Sequence, residues 1–167
     1  MNNIDTYIQY NIISKKCKFH FKKKFSKIYL FFINFEKNNI INIILSKIHN
    51  NKWIDVINLC IIAIFFHEKN IINMNILISM EKYICNNYYD VCMEKAKFIM
   101  NKKNLDYGEA WKIMNPSSIK DIIVQKILRI QNIEENSPVI ENFSEKIFDN
   151  YIDILNYSIF ILIKVKK

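Results

Sequence analysis

Apolar side chains return at helical intervals along most of this chain. In Tyr88 to Lys103 they are Val91, Cys92, Ala96, Phe98 and Ile99, and the pattern breaks at Asn104. Asn104 to Pro116 is then expected to form a structured loop. Pro116, Ser117 and Ser118 signal a new helix, with a serine as its cap and Asp121 in its first turn, running to about Gln131. Asn132 to Ser144, with Pro138 inside it, reads as a polar connection, and a last helix extends from Glu145 to about Val165. Toward the amino terminus, the same period predicts helices over Ile8 to Lys24, Asn38 to His49 and Asn51 to His67. Val56 to Phe66, the longest apolar run, reads as a helix buried on most sides, since a bilayer span takes ~20 residues.

The two sets of three helices are related. A shift of 79 positions aligns Tyr10 with Tyr89, Lys16 with Lys95, Phe19 with Phe98, Lys23 with Lys102, Ile40 with Ile119, Ile43 and Ile44 with Ile122 and Ile123, and Lys47 with Lys126. A shift of 98 aligns Trp53-Ile-Asp55-Val-Ile-Asn58 with Tyr151-Ile-Asp153-Ile-Leu-Asn156, so the second set carries 98 − 79 = 19 extra residues before its third helix. The expected fold is all-α: two diverged three-helix units packed as a pseudo-twofold bundle. Residues 1–70 would form the first repeat, 71–87 a linker with room for a helix of its own, and 88–167 the second repeat.

Composition supports helices and narrows the setting. The sequence is 51% hydrophobic with one Gly and two Pro, too few turn residues for an all-β fold and too apolar for disorder. The net charge of +8 rests on a Lys-rich, Arg-poor bias that also fits codon drift. The densest basic cluster, Lys15, Lys16, Lys18 and Lys22 to Lys24, alternates with Phe19, Phe21 and Phe25. Such interleaving suits a single-stranded nucleic acid, but an amphipathic helix with lysine outside and phenylalanine inside explains it more simply. Cys17, Cys60, Cys85 and Cys92 form no C-x-x-C pair and the three histidines are scattered, which leaves no zinc spacing and suggests reduced core thiols. Without a signal-peptide pattern in Met1 to Lys18 or a spanning segment, the expected location is the cytoplasm.

Candidate chemistry gathers in the second repeat. Asp149, Asp153 and Asn156 share one face of the last helix, with Glu145 a turn earlier on the same stripe. Stacked carboxylates repel unless a cation faces them, and Mg²⁺ prefers such oxygens. Lys126 and Arg129 on the middle helix would meet either these acids or a phosphate, and the preceding loop supplies Asp106, Tyr107 and Trp111. The competing expectation is a solvated acidic face at Glu145 and Asp149 with a structural ion pair between Asp153 and Lys126.

The order Lys103-Asn-Leu-Asp106-Tyr107-Gly108-Glu-Ala-Trp111, Pro116-Ser-Ser, Lys126-x-x-Arg129-Ile130, Ser144-Glu145 and Asn150-Tyr-x-Asp153-Ile-x-Asn156-Tyr157 resembles the nucleotide modification associated domain 1 family, in its tandem-copy form. The first copy departs from the pattern: Lys27, Ile28 and Tyr29 replace Asp-Tyr-Gly and Phe32 replaces Trp, while Lys47, Asp55 and Asn58 survive. The resemblance implies an all-α domain tied to nucleotide metabolism. Its basic helix facing an E-x-x-x-D-x-x-x-D helix is also similar to the all-α nucleoside-triphosphate pyrophosphohydrolases.

On this basis the expected activity is nucleotide binding with Mg²⁺-dependent hydrolysis or processing of a nucleoside phosphate. Glu145, Asp149 and Asp153 would hold the metal, and Lys103, Lys126 and Arg129 the phosphates. Tyr107, Trp111 or Tyr157 would stack on the base, with Asp106, Gly108 and Asn156 completing the nucleotide site. No residue is assigned as catalytic base. The alternative is a non-catalytic helical module, associated with nucleic acid. A fused repeat stands in for a homodimer, so a monomer or a homodimer is expected, with no membrane partner.

Overall fold

The computed structural model describes residues 3–29, 39–69, 74–136 and 143–166, and among these there is no strand. The amino-terminal half contains α1 (Asn3–Lys24), α2 (Ile40–His49) and α3 (Trp53–Lys69), with α1 running on into a π-helical turn at Phe25–Tyr29. Two short helices, α4 (Met74–Ser79) and α5 (Glu81–Tyr83), and a second π-helical turn at Ile84–Tyr88 bridge to the carboxy-terminal half. That half contains α6 (Tyr89–Tyr107), a 3₁₀ turn at Ala110–Ile113, α7 (Pro116–Asn136) and α8 (Phe143–Val165).

The long helix α8 is the hub, packed most extensively against α3 and α7. Nearly every side of α3 is covered, as its unbroken apolar sequence requires: Val56 through Phe65 are all buried, Asn58 among them. Its partner α2 buries Ile40, Ile41, Ile43, Ile44 and Ile48, and its first turn is capped by Asn39, whose side chain accepts from the Asn42 N–H at 3.3 Å. No described helix is long and apolar enough to cross a membrane.

Helix α1 buries Tyr10, Ile13, Cys17 and Phe21, and α6 buries Tyr89, Cys92, Ala96 and Met100, the same positions after the shift of 79. The expected faces are therefore slightly rotated. Val91 and Phe98 on α6 point outward, Phe98 with 71% of its surface exposed, and Phe19 on α1 is 66% exposed rather than in the core. Only Phe21 and Phe25 of the phenylalanines among the lysines are buried. All four cysteines are buried and free, as expected of core thiols, and burial pushes Cys17 and Cys92 up to about 12.

Helix boundaries differ from expectation for local reasons. Asn104 does not end α6. The helix continues to Tyr107 and stops at Gly108, whose left-handed backbone (φ 61) caps it without a Cβ penalty. Asp106 thus lies in the last helical turn, and the segment after it is a 3₁₀ turn rather than a loop throughout. Helix α7 starts at Pro116 itself, which suits a first helical position where no N–H is needed. Ser117 and Ser118 consequently fall inside the first turn and Asp121 in the second. The same helix passes Gln131 to reach Asn136, with Ile133 continuing the apolar stripe of Ile119, Ile123, Ile127 and Ile130. Phe32 and Pro138 lie outside the described residues, as does the Ser144 side chain.

Candidate functional site

Asp153 projects from the middle of α8 between two lysines. Lys126 on α7 donates to its Oδ2 at 2.9 Å, and Lys103 on α6 donates to its Oδ1. The carboxylate is almost completely buried, so it depends on these ammonium groups in place of water. One turn along, Asn156 is locked from both sides. Its Oδ1 accepts from the Tyr10 hydroxyl at 2.7 Å, and its Nδ2 donates to the Ala96 carbonyl at 3.0 Å. A side chain of α1 therefore helps to orient α8 in the other half of the molecule.

These groups form one end of a cleft of about 380 Å³. Lys103, Lys126, Asp153 and Asn156 line it together with an aromatic wall of Trp111, Tyr157 and Phe160, and Met100, Asn104, Tyr107, Ala110 and Met114 complete its sides. The Trp111 and Phe160 rings are stacked with centroids 4.2 Å apart and planes 3° from parallel. Trp111 is 6% exposed, and its Nε1 has no hydrogen-bond partner among the described residues. Tyr107 is 73% exposed at the edge. The Tyr157 hydroxyl is shifted upward by burial and then by the negative charge of Asp153.

The turn carrying Trp111 is held by an unusual residue. Glu109 is buried with a left-handed backbone (φ 56), a strained state for a side chain other than glycine. Its carboxylate accepts from Thr6 of α1 at 2.5 Å and from Lys112 at 2.6 Å. Burial alone would raise its pKa, but these two partners outweigh burial and bring it below the usual carboxylate value. Lys164 near the end of α8 donates to the carbonyls of Lys112 at 2.7 Å and of Trp111 at 3.5 Å. Three elements thus fix the tryptophan wall.

Of the twelve expected site residues, Lys103, Tyr107, Trp111, Lys126, Asp153, Asn156 and Tyr157 come together in this cleft. Gly108 contributes the helix stop. Asp106 and Arg129 are exposed and are not among the lining residues. Glu145 and Asp149 are also exposed on α8 and do not line it, although Asp149 is near enough to sense its contents. Its carboxyl is raised by partial burial and then by the charges of Glu145 and Asp153, against the opposing pull of Lys103 and Lys126. The expected Mg²⁺ set of Glu145, Asp149 and Asp153 fits a cation poorly in this arrangement, because both oxygens of Asp153 are occupied by lysine ammoniums. Sequence reasoning missed Met100, Asn104, Phe160, Glu109 and the contribution of Tyr10. Only Tyr10 left a signal, its match to Tyr89.

The amino-terminal half holds a counterpart. Asp55 accepts from Lys24 at 3.1 Å and pairs with Lys47 at 3.7 Å, and shifts of 79 turn those lysines into Lys103 and Lys126. Asn58 donates to the Cys17 carbonyl at 3.1 Å and accepts from the Tyr89 hydroxyl at 2.9 Å, the mirror of Asn156 with Ala96 and Tyr10. Each half lends a tyrosine to the asparagine of the other. Tyr29 departs from the pattern: its hydroxyl donates to Asp55 at 2.9 Å and accepts from Asn58 at 3.1 Å.

An all-helical protein with a polar and aromatic cleft in its carboxy-terminal half is thereby defined. Residues 103–165 match the model of the nucleotide modification associated domain 1 family. The matched segment runs from the first cleft lysine to the end of α8 and contains every lining residue but Met100. No curated protein and no solved structure matches the chain.

Proposed function

We propose that the cleft of the carboxy-terminal half binds a nucleotide. The observation that carries this reading is the joining, in one cavity of about 380 Å³, of two lysine ammoniums with a stacked tryptophan and phenylalanine wall. Cationic groups beside an aromatic face are the complement of a nucleotide's phosphate and base. The family description points the same way. On this reading residues 1–70 are a diverged copy kept as scaffold, whose Tyr29 closes the corresponding space.

A thermal-unfolding screen with nucleoside mono-, di- and triphosphates tests the proposal. A ligand at about 100 times its Kd stabilises by about 2.7 kcal/mol, whereas no shift with any nucleotide at millimolar concentration leaves the non-catalytic helical module as the better reading.

A second reading, Mg²⁺-dependent hydrolysis of a nucleoside phosphate, draws on Asp149. Its carboxyl is raised first by partial burial and then by the charges of Glu145 and Asp153, and a cation would relieve the latter. The ion would sit on Glu145 and Asp149 at the rim, with Asp153 left to its lysines. Repeating the screen with and without Mg²⁺, and following product formation, separates the two: binding that ignores Mg²⁺ and yields no product removes the hydrolase reading.

A further inference from the structure

Tyr29 reports what the open cleft is shaped to hold. Its hydroxyl donates to Asp55 Oδ1 at 2.9 Å and accepts from Asn58 Nδ2 at 3.1 Å, and its ring packs on Phe21 with centroids 6.1 Å apart. The shifts of 98 and 79 turn Asp55, Asn58 and Phe21 into Asp153, Asn156 and Met100, all three of which line the cleft. Tyr29 itself becomes Gly108, and Phe25 becomes Asn104, another lining residue. Tyr29 therefore occupies, in the amino-terminal half, the hydrogen-bonding positions whose counterparts line the cleft in the other.

The comparison also isolates two hydrogen-bonding positions. Asp55 Oδ1 holds both Lys24 and Tyr29, whereas Asp153 Oδ1 holds Lys103 alone among the described residues. Asn58 Nδ2 donates to two acceptors, Cys17 and Tyr29, whereas Asn156 Nδ2 donates to Ala96 alone among the described residues. A carboxylate oxygen takes more than one donor and an amide nitrogen carries two hydrogens, so each position has capacity left.

We propose that the ligand enters this cleft base first, its planar ring taking the place of Tyr29, a ring donor on Asp153 and an adjacent acceptor on Asn156, with the phosphates left at the mouth. A nucleobase edge presents a donor beside an acceptor. A nucleotide phosphate at neutral pH is mostly dianionic, with few protons to donate and a charge that the Asp153 carboxylate repels. This inference rests on the nucleotide reading above and gives the Asp153 end of the cleft, where Lys103 and Lys126 were expected to hold phosphate, to the base.

The test is competition measured by tryptophan fluorescence of a Trp53→Phe chain, or by calorimetry on the full chain, using a nucleoside, its monophosphate, ribose 5-phosphate and tripolyphosphate. The nucleoside should bind within about tenfold of the monophosphate, and the two base-free phosphates should not compete. If nucleotides and tripolyphosphate bind while nucleosides do not, the base-first orientation is overturned and nucleotide binding stands; if nothing binds, both fall. The double variant Met100→Phe, Asn104→Phe rebuilds the Phe21 and Phe25 lining and should lose the nucleoside while keeping its helical content. Undiminished nucleoside binding by a folded double variant would place the base elsewhere. Conversely, phenol should raise the melting temperature of Tyr29→Ala but not of the parent protein, and its failure to do so would remove the premise that Tyr29 fills a ligand-shaped space.

Discussion

Asp55 and Asp153 share a setting of two lysines, a following asparagine and a tyrosine from the opposite half, and they are equally buried, yet Asp55 also holds the Tyr29 hydroxyl whereas Asp153 lines a cleft. The acid and its lysines are therefore part of the architecture common to both halves and do not by themselves mark a functional site. Buried ion pairs of this kind repay little beyond their own desolvation, but removing one member leaves an uncompensated charge. The difference lies in three surrounding positions, where Phe21, Phe25 and Tyr29 stand against Met100, Asn104 and Gly108. Emptying that space of rings makes the cleft, and the stacked pair of Trp111 and Phe160 gives it a second wall.

The comparison breaks most readily at the asparagines. Asn58→Ala removes the partner of the Tyr89 hydroxyl and of the Cys17 carbonyl, and Asn156→Ala that of the Tyr10 hydroxyl and of the Ala96 carbonyl. Each should destabilise the protein by roughly 2–4 kcal/mol in chemical denaturation. A loss confined to one of the pair would show that the two networks are not equivalent in energy.

The lysines sharpen the contrast in binding. Lys126→Met should weaken nucleotide binding about tenfold, equivalent to about 1.4 kcal/mol, while Lys47→Met should leave affinity unchanged and alter stability alone. Equal losses of affinity in two folded variants would argue for a shared site. Tyr29→Phe keeps the ring and removes only the hydroxyl, so a cost of about 1 kcal/mol is expected with ligand affinity untouched. Greater loss would mean that the hydroxyl also orders the turn at Phe25–Tyr29.

The smallest expected effect concerns Asp149. Its folded-state pKa lies above the unfolded one, so its ionised form opposes folding once the pH rises through the unfolded pKa, and stability is regained as the pH falls through the folded value. Asp149→Asn should then stabilise at neutral pH by no more than about 0.5 kcal/mol, as befits an exposed position. The gain should vanish in acid. A variant whose advantage persists below the carboxyl range would place the strain elsewhere. If Mg²⁺ narrows the difference at neutral pH, the rim acids do take a cation.

The helices were legible because they are local, though the exact apolar faces of α1 and α6 were not, with Phe19, Val91 and Phe98 exposed. A 3.6-residue period and a fixed offset need no knowledge of the neighbours. The pairing of Asp153 with Lys126 was equally accessible, since complementary charges on adjacent amphipathic helices are drawn to the same interface. Gly108 carried its own message as the only glycine, and the structure uses it for a left-handed helix stop.

What tertiary packing decided was which polar residues meet. Tyr10 reaches Asn156 across 146 positions, and Thr6 reaches Glu109 across 103, contacts that no spacing rule on either helix encodes. Glu145, Asp149 and Asp153 share a stripe on α8, but only Asp153 lies where α6 and α7 converge, so burial and lysine pairing select it and leave the others at the surface. The cleft is set by volume: a missing ring at position 108 opens space only because the helices around it are held by other contacts. Period and charge are properties of residues in order along a chain, whereas an opening between helices exists only after those helices have packed.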